Sequence, residues 1–209
     1  MKPEDAPPAA PGAPQCGGQD AGLVETRLDG REVFHGRFLK VQCDTVRLPS
    51  GREASREFIR HPGAVMVVPL LPDGQLLLER QYRHPMGQVM LEFPAGKLDP
   101  QESPLACGRR ELREETGYRA REWAYAGVLH NAIAYSDEAI HILFARDLIQ
   151  GRAELDEGEF VECLSMSVEA LDAACRDGRV TDAKTLIGLL WLQRWQQGAW
   201  PLDWQAGEA

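Results

Sequence analysis

"RRELREETG", Arg109 to Gly117, interleaves three glutamates with three arginines in nine residues. Mixed charge of this kind usually marks a solvated helix face, held by i,i+4 pairs worth a few tenths of a kcal/mol. The flanking residues define the helix. Ser103 can cap its start, Pro104 fits the first helical position, and Gly117 suits the left-handed residue just past its end. Leu105, Gly108, Leu112 and Thr116 recur at i, i+3, i+7 and i+11 and form its inward stripe. Glu111, Glu114 and Glu115, at i, i+3 and i+4, then share one face about a turn apart. Carboxylates this close repel unless a cation bridges them. A set of oxygen donors with no Cys or His among them suits Mg²⁺ or Mn²⁺ rather than zinc. Mg²⁺ commonly adds substrate phosphates to one or two carboxylates. An acidic helix face following a Gly-terminated strand therefore predicts a metal–pyrophosphate site.

The rest of the chain sets the frame. Its 209 residues suffice for one sizeable domain, alone or with an appendage, and 44% apolar residues suffice for a core. A net charge of −9 argues against a nucleic-acid binder, because nothing here would neutralise a phosphate backbone. An anionic substrate would need local arginines or a divalent metal to offset that field. Cys16, Cys43, Cys107, Cys163 and Cys175 are scattered without a metal-ligand or paired pattern. Such a set fits a reducing cytoplasm. No apolar run is long enough to span a membrane, and no signal-peptide core opens the chain.

Residues 1–20, rich in Pro, Gly and Ala, read as a disordered tail. Residues 21–60 read as a β-rich segment of short strands and hairpins, with "LPSGRE" as a turn, and 61–209 as the main domain. "AVMVVPLL" (Ala64–Leu71) predicts a buried strand, and "PDG" turns the chain. "QLLLERQYR" follows as the second arm of a hairpin. "QVMLEFPAG" predicts a third strand that leads to the charged helix. "WAYAGVLH" and "AIHILFARDL" read as later strands; "VEALDAACRDG" and "TDAKTLIGLLWLQRWQQG" read as helices. This order lacks regular βαβ alternation and predicts an α+β fold.

Gly96, Glu102, Arg110, Glu111, Leu112, Glu114, Glu115, Gly117 and Tyr118 form the pattern G-x5-E-x7-R-E-U-x-E-E-x-G-U, with U a bulky apolar residue. This is the Nudix box, and the sequence resembles a Nudix hydrolase. The one small departure is Tyr118, where an aliphatic residue is commoner. The resemblance implies an α/β/α sandwich with a mixed sheet and metal-dependent hydrolysis of a nucleoside diphosphate linked to another group. It implies Glu111 and Glu115 as the main metal ligands, with Glu114 supporting the metals or their waters. A backbone carbonyl of Ala95 or Gly96 would add to the set. Glu102 and Arg110 would form a structural ion pair tying loop to helix, although spacing alone allows a simple surface pair.

Flanking stretches extend the likeness to the ADP-ribose pyrophosphatase branch over roughly residues 33–195. They are "EFIRHPGAVMVVPL", "ERQYRHPMG", "LEFPAGKLD", "YSDE", "GEFVE" and "DAKTLIGLLWL". The branch implies hydrolysis of ADP-ribose to AMP and ribose 5-phosphate, with other nucleotide sugars such as GDP-mannose or ADP-glucose as the neighbouring choice. It implies Arg83 as a contact to phosphate or ribose and Glu92 as an auxiliary metal or substrate contact. Arg56 and Glu57 match part of the nucleoside site, often supplied by a partner subunit, so the N-terminal segment would form a homodimer. Glu159 matches the loop glutamate proposed as general base, with Glu157 the alternative. Ser136, Asp137 and Glu138 match a following "SDE". Ile133 departs from the branch, where many members carry proline. A sensor that binds ADP-ribose without cleaving it is disfavoured, because every box glutamate is present and no basic DNA-binding region is. His61 and His84 precede prolines and read as turn residues; Trp191, Trp195, Trp200 and Trp204 read as packing.

Overall fold

A computed structural model describes residues 20–155 and 157–207. The expected tail, residues 1–20, lies outside them but for its last residue. The chain divides into two compact units, with the boundary after Phe58.

The N-terminal unit is a three-stranded sheet in the order β1-β2-β3, from β1 (Thr26–His35), β2 (Lys40–Arg47) and the start of β3 (Glu53–Arg60). Among the described residues its apolar side chains are mostly exposed, including Val33, Phe34, Phe38 and Leu39, and Val46 is the buried one.

The second unit is built around β4 (Ala64–Pro69), every residue of which is buried. A five-stranded sheet runs β11-β8-β9-β4-β7, from β7 (Ala95–Lys97), β8 (Tyr118–His130), β9 (Ala139–Gln150) and β11 (Trp204–Ala206). β4 pairs parallel with β9, and the other pairs are antiparallel, so the sheet is mixed. Alternation along β4 sends side chains to two cores. Val65 and Val67 join Leu143 and Ala145 against α1 (Pro104–Thr116). Met66 and Val68 join Ile142 and Phe144 against α2 (Val168–Arg176) and α3 (Ala183–Gln196). A sheet buried on both faces reads as the continuous apolar run seen here.

A smaller sheet, β10-β5-β6, completes the unit, from β5 (Leu76–Arg83), β6 (Gln88–Glu92) and β10 (Val161–Met166). Two expectations are corrected here. β4 and β5 do not form a hairpin ladder: they lie in different sheets and share only the bridge Leu70–Leu76. "QVMLEFPAG" is not one strand either. It leaves the small sheet after Glu92 and enters the large one at Ala95. Pro94, which has no N–H, sits at the break, and its carbonyl accepts from Val67 N at 2.9 Å. The N–H of buried Phe93 is satisfied by Thr185 Oγ1 at 3.1 Å. The strands β10 and β11 were not anticipated.

The helix α1 has the expected bounds. Ser103 Oγ accepts from Ala106 N at 3.2 Å, and Gly117 ends the helix at φ 76°. Gly108 lets it approach the sheet, since a Cβ there would stand 2.5 Å from Leu143 Cδ1. Leu112 is fully buried beneath it. Leu112→Ala is expected to cost about 2–5 kcal/mol, read as a lower urea midpoint at unchanged m. The tryptophans pack on one another, Trp191 on Trp200 and Trp195 on Trp204, with Arg146 over the Trp204 ring at 4.0 Å. No helix among the described residues is long and apolar enough to cross a membrane.

Candidate active site

The end of β6, the short β7 and the inner face of α1 converge on two of the box glutamates. Glu115 is 4% exposed, and its Oε2 accepts from Ala95 N at 3.1 Å. The Glu111 carboxylate lies on the backbone of Gly96, where a Cβ would fall 1.8 Å from it. Only glycine allows that approach. Burial pushes both carboxyls up from the usual range. Neighbouring carboxylates add to this: Glu79 and Glu159 act on Glu115, and Glu159 acts on Glu111.

Arg110 organises the box. Its Nε and Nη2 fork Glu102 at 3.0 and 2.9 Å, and Nη1 reaches Glu111 at 2.7 Å and Glu114 at 3.2 Å. Nη2 also donates to the Lys97 carbonyl at 3.0 Å. The Glu102–Arg110 pair is thus half-buried, and it ties loop to helix as expected. Both Glu114 oxygens accept from guanidiniums, the second from Arg113 at 3.1 Å. Arg109, Arg110, Arg113 and Arg119 line a cavity of about 450 Å³ with Trp123.

The Arg110 fork holds the Glu102 carboxyl at about 2, against an ordinary 4.5. A depressed carboxylate contributes stability that is complete above its unfolded value and lost as pH falls towards the folded one. Glu102→Gln is therefore expected to lower the melting temperature near neutral pH by up to about 1 kcal/mol in stability. The gap from the wild type should close as pH falls from 4.5 towards 2. A gap that persists at the acid end would contradict the pairing.

Arg83, on β5, forks Glu92 through Nε at 2.7 Å and Nη2 at 2.9 Å. Its Nη1 has no partner among the described residues, and its side chain is 38% exposed. Glu92 is buried and also pairs with Lys184 from α3. Burial would raise its carboxyl, but the Arg83 fork and Lys184 outweigh that and leave it lowered. Asp182 caps α3 and accepts from Thr185, so the "DAKT" stretch both starts the helix and braces the β6–β7 break.

Glu159 is half-buried and accepts from Gln81 Nε2 at 3.2 Å, whereas Glu157 is exposed. Arg56 and Glu57 belong to the N-terminal unit, where Arg56 pairs with Glu25. Asp137 accepts from Arg60 and from the His61 N–H, each at 2.8 Å, and Ile133 is 82% exposed.

Sequence reasoning missed Glu79 and Lys184. Glu79 is fully buried, and among the described residues neither carboxylate oxygen has a hydrogen-bond donor. Burial and Glu92 raise its carboxyl. Its only sequence signal is an acid closing the apolar run Leu76–Leu78.

The donor set fits a hard divalent cation in type and charge. Among the described residues Glu115 has no cationic partner, and its buried charge is costly unless compensated. Among the described residues, no three acidic, His or Cys side chains are already gathered as a metal cage. Glu111 and Glu115 would therefore leave positions open for water, substrate phosphates or a further oxygen donor, as Mg²⁺ commonly requires.

Comparisons with known proteins agree with this geometry. The NUDIX domain model matches residues 60–198, and the nucleoside diphosphate sugar hydrolase N-terminal domain model matches residues 25–59. The methanol dehydrogenase activator of Bacillus methanolicus is 35% identical over 171 residues, covering 81% of this chain and 92% of that protein. The ADP-ribose pyrophosphatase of Bacillus subtilis (strain 168) is 34% identical over 173 residues, covering 82% and 94%. A solved structure described as an ADP compounds hydrolase superposes with a TM-score of 0.76 at 27% identity, covering 83% of this chain and 95% of that one. Box, fold and matched length agree, and the protein belongs to the Nudix hydrolases.

Proposed function

We propose that this enzyme hydrolyses the pyrophosphate of ADP-ribose, with water, to AMP and ribose 5-phosphate, using Mg²⁺ or Mn²⁺. The observation that carries the reading is the seating of Glu111 on Gly96 and of Glu115 on the Ala95 N–H, which brings two hard anionic ligands to one strand end. The pyrophosphatase name of a relative similar along nearly its whole length supports the substrate.

Glu111 and Glu115 would hold the cation, with the Ala95 or Gly96 carbonyl beside them. A bound divalent cation supplies charge neutralisation at the phosphoryl oxygens and a lowered pKa for a bound water. Arg110 fixes Glu111 while Glu102 and Glu114 fix Arg110. Arg83, held by Glu92, offers its free Nη1 donors to a phosphate or ribose oxygen. Glu92 acts by positioning Arg83. Glu159, oriented by Gln81, accepts the proton of the attacking water as one P–O bond of the pyrophosphate breaks. The roles of Arg56 and Glu57 in nucleoside recognition rest on the family resemblance alone. The small, largely exposed N-terminal sheet favours a homodimer, because three strands bury little core by themselves. The free thiols Cys43, Cys107, Cys163 and Cys175 favour a reducing cytoplasm.

A second reading, another nucleotide sugar, is favoured by exposed Ile133 where the branch often carries proline. Turnover of ADP-ribose, ADP-glucose and GDP-mannose at equal concentration separates the two. ADP-ribose is expected to give the highest kcat/KM. A clear preference for either of the others would move the substrate and leave the reaction class intact.

A further inference from the structure

We infer that Glu79, contributed by β5 from outside the box, is an additional ligand of the divalent cation, on the inner side of Glu115. This rests on the reading that Glu111 and Glu115 hold that cation. Glu79 is 0% exposed, and among the described residues both its oxygens lack a hydrogen-bond donor. Its place beside Glu115 follows from the sheet register. Glu79 is paired across the ladder with Cys163 on β10, and the Cys163 thiol donates to the Glu115 carbonyl at 3.5 Å. Of the neighbouring carboxylates, Glu79 acts most strongly on Glu115 and raises its carboxyl.

Two acceptors that face each other need something positive between them. Of the nearby cationic groups, the Arg83 Nε–Nη2 fork and the Lys184 ammonium are both held by Glu92, the ladder partner on the other side of Glu79. The interior therefore holds three buried carboxylates, Glu79, Glu92 and Glu115, against Arg83 and Lys184. A divalent cation meeting Glu79 and Glu115 together removes that deficit and satisfies the orphaned oxygens. A shared proton is the competing way to satisfy them, and it makes a different prediction.

The test is Mn²⁺ binding to the full chain without substrate, read from loss of the free-ion electron paramagnetic resonance signal. Glu79→Gln keeps the shape, and Glu79→Val replaces the acid with a residue suited to a buried strand. Both variants are expected to bind Mn²⁺ about 10- to 100-fold more weakly than the wild type. Both should also lose most of the Mn²⁺-induced rise in melting temperature. Mn²⁺ affinity equal to that of the wild type in both variants would overturn the inference and leave the shared proton. Absence of binding by the wild type itself would overturn the metal reading as well, so the two failures are distinguishable.

Discussion

Glu115→Gln is expected to leave a folded protein that releases almost no AMP from ADP-ribose. Glutamine keeps the size of the side chain and an oxygen for the Ala95 N–H. It removes the charge that a cation would meet. The loss in kcat should be at least ~10²- to 10³-fold, the scale for deleting one electrostatic contact to the transition state. Stability should not fall with it. In the metal-free protein, burial and Glu79 push the Glu115 carboxyl well up, so its ionised form is disfavoured there and a neutral glutamine is accommodated without that cost. The melting temperature without metal should equal or exceed that of the wild type. Turnover unchanged in this variant would refute the assignment of Glu115.

Gly96→Ala is expected to separate activity from stability in another way. The added methyl would occupy the place of the Glu111 carboxylate, 1.8 Å from its carbon. The far end of Glu111 can swing aside at little cost, so thermal unfolding should shift only slightly. The displaced carboxylate no longer lies at the strand end, and misplacement by about 1 Å can cost on the order of 10²-fold in rate. A variant with full activity would show that the seat of Glu111 on Gly96 is not needed for the reaction.

Much of this site could be read from residue order because its determinants are local. Ser103, Pro104 and Gly117 bound α1 by capping chemistry, and the i, i+3 and i+4 glutamates follow from helical geometry. The Glu102–Arg110 pair spans only a loop and one helix. What escaped is non-local. "PDG" after β4 has the chemistry of a hairpin turn, but β4 is buried on both faces and takes β9, far along the chain, as its parallel neighbour. Glu79 looks like the polar end of a strand until β6 and β10 close on both sides of it. Lys184 looks like a surface residue in the first turn of a helix until α3 docks at the β6–β7 break and brings it to Glu92. Arg83 is indicated by the family resemblance alone, and its fork is held by Glu92, so the exposed edge is what remains for a ligand.

The most direct measurement is AMP release from ADP-ribose by the purified full-length chain, with Mg²⁺ and again with excess chelator. Efficient release that the chelator abolishes and restored Mg²⁺ recovers is the predicted result. Release that continues unchanged in chelator would contradict the metal site at Glu111 and Glu115, and no release by folded, Mg²⁺-supplied protein would contradict ADP-ribose as the substrate.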